Sequence, residues 1–211
     1  MIYDCSLPLR PRMPVYRGNP PFRRIVTHEL RKGHVVNESR LELGAHCGTH
    51  VDAPWHFEKD GRTAADIPPG NLLGPARLLH FPDVDAVDAK DLERFPWKGV
   101  RRVLLRTRNS EHWKRGGGFD PRYAYLTPPG ARFLVSKKIR LVGIDGLGIE
   151  RFGGPDYGTH HALLRRGITV LEGLCLAGVP AGDYTLFCGP LRIEGGDGAP
   201  ARVFLVKGRL K

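Results

Sequence analysis

Short runs with β-strand character follow one another along the whole sequence, and this pattern constrains the fold more than any other feature. The strand-like runs are residues 24–29, 40–43, 77–81, 100–107, 140–145, 168–171, 184–193 and 202–207. Turns separate them, supplied by 27 Gly and 18 Pro that follow no fixed period. Because no linker or low-complexity segment interrupts the chain, we expect a single α/β domain over residues 1–211, with a strand-rich mixed sheet.

Helix signals are fewer than strand signals. The helical segments are residues 88–95, a helix capped by Thr127 with Pro128 at its first position and running to about residue 138, and residues 160–166, stopped by Gly167. One strand has an apolar face and a charged face, because Leu41 and Leu43 alternate with charged residues. We expect both leucines to face the core from a half-buried strand.

The composition is basic, with 33 Lys and Arg against 22 Asp and Glu and a formal net charge of +11. The basic residues lie in scattered pairs such as Arg23-Arg24, without the interleaved aromatic residues that stack on bases. We therefore expect a solvated basic surface and no nucleic-acid partner, with attraction of anionic substrates as the weaker alternative. No run approaches the ~20 apolar residues of a membrane span, and no secretory signal opens the chain. These features predict a cytoplasmic protein without a membrane partner.

The four cysteines form no C-x-x-C pair, and a chain of this length needs no disulfide for stability. We interpret them as reduced thiols. Cys47 lies among polar residues, but its odd number directs it away from the even-numbered side chains around it in an extended chain. A small buried hydrophobic residue is the favoured role for Cys47.

The densest group of potential metal ligands lies in residues 45–57, AHCGTHVDAPWHF. His46, His50, Asp52 and His56 are all even-numbered, so in an extended chain their side chains point to the same side. A straight segment from the first to the last would cover ~33 Å, which is too long for one ion. Glycine and proline residues within the segment allow it to bend around a metal.

The types of these side chains favour a catalytic metal site. Imidazoles with a carboxylate and no thiolate suit Zn, Mn or Fe in an open site better than a closed structural site. The alternative is that the histidines are loop residues or hydrogen-bond donors in the core. Sequence patterns for a serine triad or a dinucleotide cofactor, G-x-S-x-G and G-x-G-x-x-G, do not occur.

A second region supplies further candidates. His160 and His161 open the predicted helix 160–166, and Glu172 ends a buried strand, where an unpaired carboxylate is costly. A metal ion or a salt bridge to an arginine would satisfy Glu172 equally well. Asp145, at the end of the run 140–145, is a similar but weaker candidate.

Residues 46–57 match H-x-G-T/A-H-x-D-x-P-x-H-F, so the sequence resembles the cyclase family of metal-dependent hydrolases, which includes bacterial kynurenine formamidases and isatin hydrolases. Further matches lie at RLVGID (140–145), ITVLEGL (168–174), VPAGDYTL (179–186) and GGDGAPARV (195–203). The resemblance covers nearly the whole chain. It implies a swivelling β/β/α domain that assembles as a homodimer or homotetramer.

The resemblance also implies roles for individual residues. It places metal ligands at His46, His50, Asp52, His160 and Glu172, with Asp52 bridging two zinc ions, and a catalytic acid/base at His56. His160 is preferred over His161 because it precedes Glu172 by twelve residues. Isatin hydrolases use a single manganese ion, so Mn is the alternative metal. Where kynurenine formamidases commonly have a substrate-packing Trp, this chain has Tyr16, which keeps an aromatic face and adds a hydroxyl.

The implied reaction is metal-dependent hydrolysis of a linear or cyclic amide, with N-formylkynurenine as the first candidate substrate and kynurenine and formate as products. A lactamase of the isatin hydrolase type is the enzymatic alternative. A metal-stabilised binding protein is the non-enzymatic one.

Overall fold

The fold is built around a sheet that closes on itself. The computed structural model describes residues 1–208, in which the strands are β1 (Ile2–Asp4), β2 (Arg23–His28), β3 (Glu38–Glu42), β4 (His50–Asp52), β5 (Leu73–Phe81), β6 (Ala86–Val87), β7 (Arg102–Thr107), β8 (Tyr125–Leu126), β9 (Leu141–Ile144), β10 (Thr169–Glu172), β11 (Gly182–Pro190) and β12 (Gly198–Val206). The main sheet has the order β1-β12-β11-β5-β7-β9-β10-β4, and a further pairing of β4 with β12 closes the ring. Its pairings are both parallel and antiparallel, so the predicted strand-rich mixed sheet is confirmed.

The helices are α1 (Pro69–Leu72), α2 (Ala89–Leu92), α3 (Asn109–Lys114), α4 (Pro128–Ser136) and α5 (Gly158–Leu164). The predicted cap of α4 is confirmed, because the hydroxyl oxygen of Thr127 accepts a hydrogen bond from the amide of Gly130 at 3.1 Å. Within the predicted helix 88–95 only α2 is helical, and α5 begins two residues before the predicted start. No helix in residues 1–208 has the length and apolar character needed to cross a bilayer.

The parallel strands β7, β9 and β10 are buried on both faces. In β7, Leu104 packs into a core shared with β11 and β12, whereas its neighbour Leu105 packs into a second core beneath α4 and α5. Successive side chains of a strand point to opposite faces, so a continuous apolar run requires cover on both sides. The other strands of the closed sheet cover one face of these strands, and the helices cover the opposite face.

The hairpin of β2 and β3 forms a separate two-stranded sheet. The side chain of Leu41 is 53% exposed, so the expectation that it faces the core is wrong. Strand alternation indicates which residues share a face but not whether another element covers that face. Leu43, just beyond β3, is half-buried and packs with Met13, Phe22 and Cys47. The predicted burial of Cys47 is confirmed.

Burial suppresses the reactivity of the cysteines that lie in the core. It raises the pKa of Cys5 and of Cys188 to about 12. Because the thiolate is the nucleophile, we expect iodoacetamide at pH 8 to alkylate the half-buried Cys175 well before these two in the native protein. Peptide mass mapping over a time course measures the order, and equal labelling of Cys188 and Cys175 would contradict it.

Candidate metal centre and active site

The short strand β4 places two candidate ligands on one face of the sheet. His50 and Asp52 are two residues apart, so their side chains point to the same side. β4 runs antiparallel to β10 and sets His50 directly opposite Glu172. Nε2 of His50 lies 3.3 Å from Oδ1 of Asp52 and 3.3 Å from Oε2 of Glu172, and all three side chains are buried. The register of these two strands therefore holds an imidazole between two carboxylates.

Two further histidines reach the same carboxylates from outside the strands. Nδ1 of His46, in the turn before β4, lies 2.8 Å from Oδ1 of Asp52. Nε2 of His160, on α5, lies 3.4 Å from Oε1 of Glu172 and 3.8 Å from Oδ2 of Asp52. Glu172 faces histidines, and no arginine of residues 1–208 forms a salt bridge with it. The structure thus brings together His46, His50, Asp52, His160 and Glu172.

The second ring nitrogen of each of these histidines has its own hydrogen-bond partner. Nδ1 of His50 lies 2.9 Å from the carbonyl oxygen of Gly48. Nδ1 of His160 lies 2.8 Å from Oε2 of Glu150, and Nε2 of His46 lies 2.8 Å from Oδ2 of Asp197. A metal-binding histidine is normally held in this way by a carbonyl or carboxylate on its other nitrogen. The contacts select Nδ1 of His46 and Nε2 of the other two as the nitrogens turned to the centre.

Burial and mutual charge shift the pKa values of the cluster in opposite directions. Burial lowers the pKa of His50, but the carboxylates of Asp52 and Glu172 outweigh it and raise the pKa to about 10. Burial also lowers the pKa of His160, but its hydrogen bond to Glu150 and the carboxylate of Glu172 outweigh burial and raise the pKa to about 10. Burial raises the pKa of Asp52, but the adjacent imidazoles hold it well below its usual range. Burial and the charge of Asp52 raise the pKa of Glu172, but His160 and His50 outweigh them and lower it. Both carboxylates are therefore ionised and need positive charge beside them.

This set of donors fits a divalent metal ion. Oδ2 of Asp52 is buried without a hydrogen-bond partner among the described residues, an arrangement that is costly unless a cation completes it. Donor atoms of His50, Asp52 and Glu172 lie within 4.8 Å of one another, and so do those of His46, Asp52 and His56. Imidazole and carboxylate together suit Zn and Mn. Asp52 belongs to both groups.

His56 lies beside the cluster at the end of a short 3₁₀ helix, Pro54–His56. Its ring stacks on that of His46 at a centroid distance of 3.9 Å, and its side chain is 31% exposed. Burial lowers the pKa of His56 despite the carboxylates nearby. A neutral imidazole at neutral pH that remains open to the cavity can accept and return a proton.

A cavity of about 370 Å³ opens onto these histidines and carboxylates. Apart from the polar cluster, its walls are mainly aromatic and aliphatic, formed by Tyr16, Phe57, Tyr123, Leu147 and Tyr157. The ring of Tyr16 packs edge-on against Phe119 and is tilted against Phe152. The structure therefore places Tyr16, the sequence candidate for a substrate contact, in the cavity wall. A cavity with mainly aromatic walls and a small number of polar groups suits a small aromatic ligand.

Two residues with metal-ligand chemistry lie outside the cluster. Nδ1 of His161 lies 2.6 Å from Oε1 of Glu58, so this histidine joins α5 to the loop after the 3₁₀ helix. Asp145 accepts hydrogen bonds from the backbone amides of Thr107 and Ser110 and from both of their hydroxyls. These donors occupy the Asp145 carboxylate, so we assign it a structural role rather than the suggested place near the metal.

The hydrogen-bond donors around Asp145 match a carboxylate and not an amide. Its burial raises its pKa, and the donors around it offset that shift in part. In Asp145→Asn the amide NH₂ would face existing donors, and we expect the free energy of unfolding to fall by about 1–3 kcal/mol. Urea denaturation in the presence of a chelator measures the change. Asp85→Asn, at a carboxylate that is 88% exposed, is the control and should change little, and equal stability of the two variants would contradict the assignment.

Sequence reasoning did not identify Glu150 and Asp197. Glu150 contacts His160 from ten residues away, and Asp197 contacts His46 from 151 residues away. Asp197 lies within GGDGAPARV, a segment that resembles the family, but nothing local to that segment indicates its partner. Only the pairing of β4 with β12, which sets Gly198 opposite Asp52, brings it to the site.

Comparison with known proteins agrees with this geometry. The Cyclase family model matches residues 3–151. Kynurenine formamidase of Bacillus cereus is 35% identical over 202 residues, which are 96% of this chain and 95% of that one. A solved structure described as a potential metal-dependent hydrolase with cyclase activity is 35% identical, with a TM-score of 0.83 over 97% of this chain and 96% of that one.

A more distant structure confirms the fold. An isatin hydrolase bound to the product analogue thioisatinate is 24% identical and has a TM-score of 0.84 over 99% of this chain and 92% of that one. The expected cyclase-type fold is therefore present. Because the family model spans well over half of the chain and the relatives nearly all of it, the chain belongs to the Cyclase family.

Proposed function

We propose that this protein is a metal-dependent amide hydrolase that converts N-formylkynurenine to kynurenine and formate. The observation that carries the proposal is the largely buried cluster of three imidazoles and two carboxylates beside an aromatic-walled cavity. The 35% identity to kynurenine formamidase over nearly the full length supports the choice of substrate. Tyr16 in the cavity wall supplies a face for the aryl ring.

His46, His50, Asp52, His160 and Glu172 would hold the metal, which we propose to be two zinc ions per chain, with manganese as the alternative. Asp52 would contribute to holding both ions, since one of its carboxylate oxygens lies near His46 and His50 and the other lies 3.8 Å from Nε2 of His160. When bound, the metal makes a water nucleophilic at neutral pH and polarises the amide carbonyl.

His56 carries the proton in this mechanism. With its pKa lowered by burial, its imidazole is neutral at pH 7 and can take a proton from the attacking water. The same nitrogen then delivers that proton to the leaving arylamine as the C–N bond breaks. The stacking of His56 on His46 keeps this ring within reach of the cluster.

A cyclic amide is the second candidate substrate, because an aromatic-walled cavity of about 370 Å³ accommodates a bicyclic lactam as well as an aryl formamide. A substrate panel separates the two. We expect the zinc-loaded protein to release formate from N-formylkynurenine with a kcat/KM at least about tenfold above that for isatin. The reverse order would establish the lactamase, and no turnover of either, with metal bound, would favour a metal-stabilised binding protein.

We further propose that the protein is a single cytoplasmic domain that forms a homodimer or homotetramer and has no nucleic-acid or membrane partner. Exposed apolar side chains on the β2–β3 hairpin, such as Val26, Val35 and Leu41, support assembly. Analytical ultracentrifugation tests the oligomeric state, and a monomer at micromolar concentration would contradict it. We expect no DNA binding in the same buffers, at low or at high salt.

A further inference from the structure

The backbone fixes Asp197 at the edge of the metal cluster. Its carbonyl oxygen accepts a hydrogen bond from the amide of Ala53 at 2.9 Å, just before β12 begins. The next residue, Gly198, pairs with Asp52 across β4 and β12. Two contacts, one with Asp52 in β4 and one with Ala53 just after it, therefore determine where the Asp197 side chain starts.

The Asp197 carboxylate lies beside two histidines with different roles. Oδ2 is 2.8 Å from Nε2 of His46 and 3.7 Å from Nδ1 of His56, and the two rings stack on each other. The fit is close, because a Cβ at Gly198 would lie 2.6 Å from Cε1 of His46. A residue with a side chain at that position would displace the ring.

We propose that Asp197 is a positioning residue that holds His46 for the metal and His56 for proton transfer at the same time. By accepting the Nε2 proton of His46, it leaves the Nδ1 lone pair directed at the Asp52 side of the cluster. At 3.7 Å its negative charge is in ion-pair range of Nδ1 of His56, where it stabilises that ring once the ring has taken a proton. The inference rests on the proposed function and adds a residue to it.

Two substitutions separate the two contacts. Asp197→Ala removes the acceptor for His46, and we expect zinc affinity, measured by competition with a chromogenic chelator, to fall about 10–100-fold. Asp197→Asn keeps an amide oxygen that can accept from Nε2, so zinc affinity should stay within about threefold of wild type. The asparagine lacks the negative charge that steadies a protonated His56, so its kcat should fall by at least about tenfold with KM little changed.

Glu194→Gln is the matched control, because it removes one negative charge from the same loop at an exposed side chain. It should retain wild-type zinc affinity and kcat. Wild-type zinc affinity in Asp197→Ala, or wild-type kcat in Asp197→Asn, would overturn the proposal. The zinc measurement needs no substrate, so it tests the positioning of His46 independently of the reaction. A wild-type protein that binds zinc but does not hydrolyse N-formylkynurenine would overturn the proposed function. The comparison of zinc affinity between wild type and Asp197→Ala would still decide whether Asp197 positions His46.

Discussion

Replacing His56 with alanine is expected to lower kcat for N-formylkynurenine by about 10²–10⁴-fold while zinc content stays at the wild-type level. The ring stacks on His46 but lies at the cavity surface, and its side chain is 31% exposed. The five proposed ligands remain, of which four are buried and His46 is half-buried. Steady-state kinetics and elemental analysis on the same preparation measure both quantities.

His34→Ala is the control for this variant, because His34 is an exposed histidine of the β2–β3 hairpin and should leave both quantities unchanged. Loss of zinc in His56→Ala would make His56 a ligand rather than a proton carrier. Full activity would remove it from the mechanism altogether.

Replacing His50 with alanine is expected to remove both metal and activity. His50 lies between Asp52 and Glu172 and is 1% exposed, so no solvent-facing group can take its place. Removing a residue that binds the metal directly should lower zinc affinity more than removing a residue that only holds such a ligand in place. We therefore expect zinc affinity to fall by more than about 100-fold. Chelator competition measures the affinity and formate release measures the activity.

His161→Ala is the matched control for the ligand set. His161 is adjacent to His160 in sequence but contacts Glu58, so its replacement should leave zinc affinity close to wild type. Stoichiometric zinc in His50→Ala would contradict the assigned centre. Loss of zinc in His161→Ala but not in His160→Ala would exchange the two assignments on α5.

Local periodicity predicted part of the site. The even spacing of His50 and Asp52 places both on one face of β4, and the end of a buried strand indicated that Glu172 needs a partner. His46 and His56 lie outside β4, in the turn before it and the 3₁₀ helix after it, so their positions depend on chain bends rather than on strand alternation.

The remaining features depend on contacts between distant segments. Asp197 reaches His46 only because β12 pairs with β4 and closes the sheet, and no local pattern specifies that pairing. The exposure of Leu41 has the same origin, since the hairpin that carries it is paired only with itself. Strand and helix signals are local, whereas sheet closure and cover are properties of the whole chain.

The most direct test of the central claim is the zinc content of the purified protein, measured together with N-formylkynurenine hydrolysis before and after chelation. We predict about two zinc ions per chain, turnover that is lost on chelation and turnover that returns when zinc is restored. A protein that binds no metal under any reconstitution, or whose turnover is indifferent to the chelator, would contradict the proposed centre.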